Sequence, residues 1–294
     1  MIIMELISDY MRDDVRRHML NDLTQKTFCF DFEGWVTGGY FEGDYIPYSY
    51  MDNGRILSNA SANRMRFMQN GEMKYYIQIG TVMTDEEYRK QGLAARLIKH
   101  VISEYEKECD GIYLFGNLDA SGFYEKMGFD KLNQYRYRIK EDFFDSIRQD
   151  NTFKPVIDMD DEVKNAYLKL VRESARNSSF EQINKFGLQM FYTSGLDNVY
   201  YSPDTDCYIV LDEEECTILQ SVICGRKIPL SEVIRNMDIK DRRCMLGFTP
   251  CVEDMSICDR EAYDGADDYR LFYMGKELES IERDKLYFPE LSHA

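Results

Sequence analysis

The chain of 294 residues carries 36 Lys and Arg against 53 Asp and Glu, a net charge of −17 at neutral pH, and 44% of its residues are hydrophobic. That acidity argues against nucleic acid, whose phosphates need clustered basic side chains, and no apolar run approaches the ~18 residues that cross a bilayer. Eight cysteines lie scattered without a Cys-x-x-Cys pair, beside three histidines, which fits reduced core thiols in a cytoplasmic chain with no metal.

In chain order, a strand over residues 1–7, with acidic residues too early for a signal peptide, precedes a helix over 12–27. Val15, Met19, Leu20 and Leu23 share one face of that helix. An aromatic stretch over 28–50 holds the single Trp35 and the glycines 34, 38, 39 and 43. Strands at 45–50, 55–67 and 75–84, separated by Asp52-Asn53-Gly54 and Asn70-Gly71, read as an antiparallel meander. Next comes the junction 88–95, Tyr-Arg-Lys-Gln-Gly-Leu-Ala-Ala, and from Leu93 a helix with Leu97, Ile98, Val101, Ile102 and Tyr105 on one face. Gly92, Ala94 and Ala95 let a ligand approach the helix N-terminus, where unpaired amides and the dipole favour an anion. Arg89 and Lys90 add charge there. A strand at 111–115, Asn117, a short helix with Ala120, Phe123 and Tyr124, and Gly128-Phe129 follow.

Pro155 breaks the pattern at 151–161, so units over 1–145 and 155–294 are expected. In the second, a helix with Val163, Tyr167, Leu170 and Val171 on one face leads to strands at 207–211 and 217–224, a helix at 229–237 and strands at 243–248, 268–273 and 285–291. This repeats the order of the first unit.

Arg89-x-x-Gly92-x-Ala94 after a strand, followed downstream by Asn117-x-x-Ala120-x-x-Phe123-Tyr124-x-x-x-Gly128-Phe129, resembles the two signatures of the GNAT superfamily of N-acetyltransferases. The resemblance implies an α/β (α+β) fold, a mixed, mainly antiparallel sheet flanked by helices, with acetyl-CoA as co-substrate and no metal. It implies that Arg89, Lys90, Gln91, Gly92, Leu93, Ala94 and Ala95 cradle the pyrophosphate. The backbone amides of Val82, Met83 and Thr84 would polarise the acyl carbonyl and hold the pantetheine arm, with Asn117 assisting. Tyr124 would protonate the departing thiolate. The aromatic stretch would cover the acceptor side, as an apolar slot for an amine. The acceptor expected is a cationic small-molecule amine or a protein lysine, with self-association open; the alternative is a non-catalytic acetyl-CoA sensor or interaction protein. No acidic residue lies in 75–84, so the general base is open between Asp31, Glu33, a water relay, and the C-terminal end, His293 or the terminal carboxylate, as in tandem members of the superfamily. Residues 225–231 lack the phosphate-cradling pattern, which makes the second unit a degenerate GNAT-like copy.

Overall fold

The computed structural model describes residues 4–117, 121–213, 216–240, 242–265 and 269–294. Ala120 and Asp268, expected in a helix and a strand, lie outside them. β1 (Glu5–Ser8) leads into α1 (Asp14–Phe28), which starts where Asp13 accepts the amide of Arg16 and ends at Cys29 in the left-handed conformation. After α2 (Glu33–Thr37) the chain forms β2 (Tyr45–Asp52), β3 (Arg55–Gln69) and β4 (Glu72–Thr84). Both hairpins turn at an Asn-Gly pair, and Asn53, Gly54, Asn70 and Gly71 all have positive φ, as the turn that matches strand twist requires.

α3 (Leu93–Tyr105) crosses from β4 to β5 (Gly111–Asn117), which pair in parallel. α3 packs Leu97, Ile98, Val101 and Tyr105 against Ile46, Ile77, Ile79 and Ile112 of the sheet. Then come α4 (Ser121–Glu125), β6 (Asp130–Leu132), β7 (Gln134–Ile139), α5 (Glu141–Ser146), β8 (Lys154–Pro155) and α6 (Asp161–Glu173). β9 (Phe180–Gln182), α7 (Phe186–Thr193), β10 (Val199–Ser202), β11 (Cys207–Asp212), β12 (Thr217–Cys224) and α8 (Leu230–Asn236) follow. The remaining elements are β13 (Cys244–Leu246), β14 (Cys258–Tyr263), β15 (Tyr269–Met274) and α9 (Ser280–Arg283). The strand expected at 285–291 does not form. That segment starts at Lys285 with a φ of 58° and, after Pro289, ends in a single turn at Glu290–Ser292.

Two sheets result. One has the order β1-β2-β3-β4-β5-β15-β6, with β9 also on β3; the other has β14-β7-β13-β12-β11-β10-β8. In the second, β12 and β13 pair in parallel around α8, as β4 and β5 do around α3. The sheets exchange strands. β15 lies antiparallel between β5 and β6, and β7 lies antiparallel between β13 and β14. The units expected over 1–145 and 155–294 therefore interlock. Among the described residues no helix is long and apolar enough to cross a membrane.

Candidate active site

The junction after β4 folds locally. Asp85 accepts the amide of Glu87 to start a turn at Glu86–Tyr88, and Arg89 donates Nε to the Thr84 carbonyl at 3.2 Å. Lys90 and Gly92 both take positive φ, 64° and 75°, on either side of Gln91, whose side chain reaches the Glu87 carbonyl. Such alternation curls successive amides toward one point. α3 then begins at Leu93 with no side chain capping it, and a Cβ on Gly92 would meet nothing within 4 Å. Gln91 and Gly92 are exposed, Leu93 is buried and Ala94 and Ala95 are half-buried. An uncapped N-terminus with open space above it fits a pyrophosphate.

The second feature is the gap beside that turn. β4 and β5 pair through Tyr76–Gly111, Ile77–Ile112 and Gln78–Tyr113. Beyond these, β4 continues on β3 and β5 on β15, so the two strands diverge and a wedge opens between them. Val82, Met83, Thr84 and Asn117 border it. Val82 faces the α3 side with Ile77 and Ile79, Met83 is buried with Tyr45 and Ile56, and Thr84 shares a hydrogen bond with Ser58. Asn117 stands exposed opposite Tyr269. Tyr124 lies on the α3 side of β5, its ring only 2.6 Å from where a Cβ on Gly116 would stand, against Phe272 and Phe129. Gly116 makes room for it. Burial pushes the Tyr124 phenol up to about 12, so it keeps its proton at neutral pH.

The other face of the wedge belongs to the end of the chain. Ala294 lies over Gly80 in β4, where an added Cβ would stand 2.3 Å from the Ala294 oxygen and 3.1 Å from Asn63 Nδ2. The His293 ring stacks on Phe115 of β5 at 3.9 Å, and Tyr192 donates its hydroxyl to the His293 carbonyl at 2.6 Å. His293 Nε2 is buried without a protein partner, and burial lowers the imidazole pKa. A cleft beside Asn63 is walled by Trp35, Tyr45, Glu42, Asp44 and Arg64. Glu42 pairs with Arg172, and Asp44 accepts from Asn184 at 2.8 Å.

The aromatic residues of the stretch pack together behind that cleft. Phe32, Trp35, Phe41 and Tyr45 pack with Phe30 and with Phe191 of α7 in one cluster, whose Trp35 and Tyr45 also edge the cleft, and Trp35 donates Nε1 to the Gly187 carbonyl at 2.6 Å. The candidate bases there are engaged elsewhere. Glu33 receives two hydrogen bonds from the buried Arg17, which holds its carboxyl below the usual range, and Asp31 accepts from Gln25 and the Glu33 amide.

In the second half, the position corresponding to the cradle is filled from within. The Asp254 carboxylate, 9% exposed, accepts the Leu230 amide at 3.1 Å at the start of α8, and Lys227 pairs with Glu253. Gly80, Asn63 and Thr81, all at the wedge, escaped the sequence reading. Their available signal was Ser58-Asn59-Ala60-Ser61-Ala62-Asn63, a polar and small-residue run inside a long strand. Among the described residues no group of His, Cys, Asp or Glu is placed to hold a metal.

Residues 4–129 match the model of the "Acetyltransferase (GNAT) family". No curated protein matches the chain. Similar solved structures include a probable N-acyltransferase from Enterococcus faecalis V583, at 14% identity over 96% of this chain and 74% of that one with a TM-score of 0.56. A GCN5-related N-acetyltransferase from Kribbella flavida matches at 13% over 94% and 73%, TM-score 0.53. Eis1 from Mycobacterium abscessus matches at 11% over 92% and 73%, TM-score 0.53. At such identities the likeness is one of fold, and it runs through both halves. Residues 4–129 therefore form a GNAT-family acetyltransferase domain, set in a chain whose fold is shared almost end to end with N-acyltransferases of this kind.

Proposed function

We propose that this protein is an acetyl-CoA-dependent N-acetyltransferase whose first unit, residues 1–145, binds the co-substrate and whose second, degenerate unit, 155–294, completes the acceptor side. The observation that carries this reading is the wedge between β4 and β5, with an uncapped helix N-terminus on one face and the end of the chain on the other. Acetyl-CoA bound there supplies an activated acetyl group. The turn from Arg89 to Ala95 holds the pyrophosphate through backbone amides, with Arg89 and Lys90 adding charge. The amides of Val82, Met83 and Thr84 border the wedge, placed to stabilise charge on the acyl oxygen, and Asn117 borders it from β5. Tyr124, kept protonated by burial, donates to the departing thiolate.

The acceptor is a primary amine, reaching the wedge through the cleft of Trp35, Tyr45 and Asp44 beside Asn63. Its ammonium must lose a proton before it attacks. The His293 imidazole, which burial keeps neutral and whose Nε2 has no protein partner, would take it. Thiol release from acetyl-CoA, measured against a panel of small polyamines, aminoglycosides and lysine peptides, tests the reaction. Tight acetyl-CoA binding with no thiol release from any amine would replace the enzyme by a binding protein. His293→Ala then tests the base: wild-type kcat in that variant would remove His293 from the mechanism.

A further inference from the structure

Thr81 sits where β4 leaves β5, and its φ is +46°. A β-branched side chain occupies that region only when its surroundings hold it there. The register shows the reason: Gly80 opposes Ser61 and Met83 opposes Asn59, so Thr81 and Val82 together face the single residue Ala60. This is a β-bulge, and it shifts the alternation of the strand. Ile77, Ile79 and Val82 face α3, so the spacing passes from two to three. Gly80 and Thr81 consequently share the face that carries Ser61, Asn63 and the end of the chain.

Three hydrogen bonds grip the strained residue. Its hydroxyl meets the Tyr45 hydroxyl at 2.8 Å and Ser61 Oγ at 2.9 Å, and its carbonyl, which the bulge removes from the regular ladder, accepts Asn59 Nδ2 at 2.9 Å. Asn59 and Ser61 are fully buried. One hydroxyl can serve both neighbours because it has a proton and lone pairs. The grip is itself anchored: Asn63 Nδ2 reaches Ser61 Oγ at 3.1 Å and the carbonyl of Gln78, the last β4 residue paired with β5, at 3.0 Å. Asn59 Oδ1 accepts from Ser49, which meets Tyr10. The amides after the bulge, at Val82, Met83 and Thr84, take their bearing from it.

We propose that Thr81 is a positioning residue for acyl transfer, its hydroxyl latched by Tyr45 and Ser61 and its carbonyl by Asn59 so that β4 stays bulged at the wedge. This rests on the acetyltransferase reading above. Three variants separate the latch from mere bulk: Thr81→Ser keeps the hydroxyl, Thr81→Val keeps the branched shape and loses it, and Thr81→Gly loses both hydroxyl and strain. Thr81→Val should lower kcat about 100-fold, the cost of misplacing reacting groups by about 1 Å, while acetyl-CoA affinity, set at the pyrophosphate turn, stays within about threefold. Thr81→Ser should stay near wild type, and Thr81→Gly should fall between them.

Amide hydrogen exchange at residues 82–84 in the free protein gives a readout independent of catalysis, fastest in Thr81→Val and slow in Thr81→Ser. If Thr81→Val does not fold, Tyr45→Phe and Ser61→Ala each remove one latch partner and should raise the same exchange rates. A Thr81→Val enzyme with wild-type kcat and exchange overturns the proposal, and so does a Thr81→Ser enzyme as impaired as Thr81→Val. Should wild-type protein fail to bind acetyl-CoA, the acyl-transfer role falls with the reading of the wedge, and the exchange data alone decide whether the latch exists.

Discussion

Replacing Gly80 by Ala tests whether the end of the chain belongs to the working site. The added Cβ would stand 2.3 Å from the Ala294 oxygen and 2.7 Å from its carbonyl carbon, whereas ordinary contact begins near 3.4 Å. The chain end must therefore withdraw by about 1.1 Å. Gly80 has no positive φ, so alanine adds no strain at its own backbone. The atoms that must give way are the Ala294 backbone beside a His293 held by Tyr192 and Phe115, so a modest drop in melting temperature should accompany the loss of rate. Displacing a proton acceptor by about 1 Å costs on the order of 100-fold in rate, or about 2.7 kcal/mol in the barrier. The pyrophosphate turn is remote from this change, so acetyl-CoA should bind within about twofold of wild type. Initial rates of thiol release with the accepted amine, together with calorimetric titration of acetyl-CoA, measure both. Wild-type kcat in Gly80→Ala would remove the chain end from the mechanism. Loss of acetyl-CoA binding would show that the substitution disturbs the thioester side instead.

Gly92→Val should lose measurable acetyl-CoA binding in calorimetry, because a branched side chain would fill the open space over α3 at a φ of 75°, and it should cost about 1–2 kcal/mol of stability in denaturant titration. Tyr124→Phe should keep acetyl-CoA affinity and lose about 100-fold in kcat; with the phenol at about 12, the wild-type rate should not fall between about pH 8 and pH 10. Because Asp254 already occupies the start of α8, titration should give one acetyl-CoA per chain, and two would show that the second half binds as well. Glu33 has a folded pKa below its ordinary 4.5, so its ion pair with Arg17 stabilises the protein above that pH and is lost as pH falls through the folded value. Chemical denaturation of Glu33→Gln should thus show a deficit at neutral pH that narrows in acid.

What the sequence made legible was local. Asn53-Gly54 and Asn70-Gly71 dictate their own hairpins, and Gly92 with its small neighbours announces a helix N-terminus open to an anion whatever the rest of the chain does. The strand exchange was hidden because alternation specifies a face and not a partner: β7 and β15 each offer side chains that suit either sheet. The packing partners of the aromatic stretch were hidden for a related reason. Phe32 and Trp35 gain partners from α7, more than a hundred residues downstream, which brings Phe191 and the Gly187 carbonyl against them. At 285–291 the apolar residues satisfy a strand pattern, yet Phe288 uses its ring to stack on Tyr113 at 4.3 Å and not its backbone to extend a sheet.

That stacking explains how the end of the chain reaches the wedge. β15 runs antiparallel to β5 and delivers the chain at Met274, opposite Ile112. From there the chain returns along β5, with Leu278 against Gly111, Phe288 on Tyr113 and His293 on Phe115. The contacts climb every second residue, following one face of β5 up to the point where β4 diverges, and Ala294 then turns onto Gly80. Phe288 is fully buried among Phe67, Phe180 and Tyr113, and burial of such a ring is worth about 3 kcal/mol, so the segment is held by packing well before its last residues. On the proposed acetyltransferase reading, neither half of the sequence displays a whole site because neither builds one. The first supplies the turn, the bulge and Tyr124, and the exchange of β15 into the first sheet places the second half's last residues on the opposite face of the same gap.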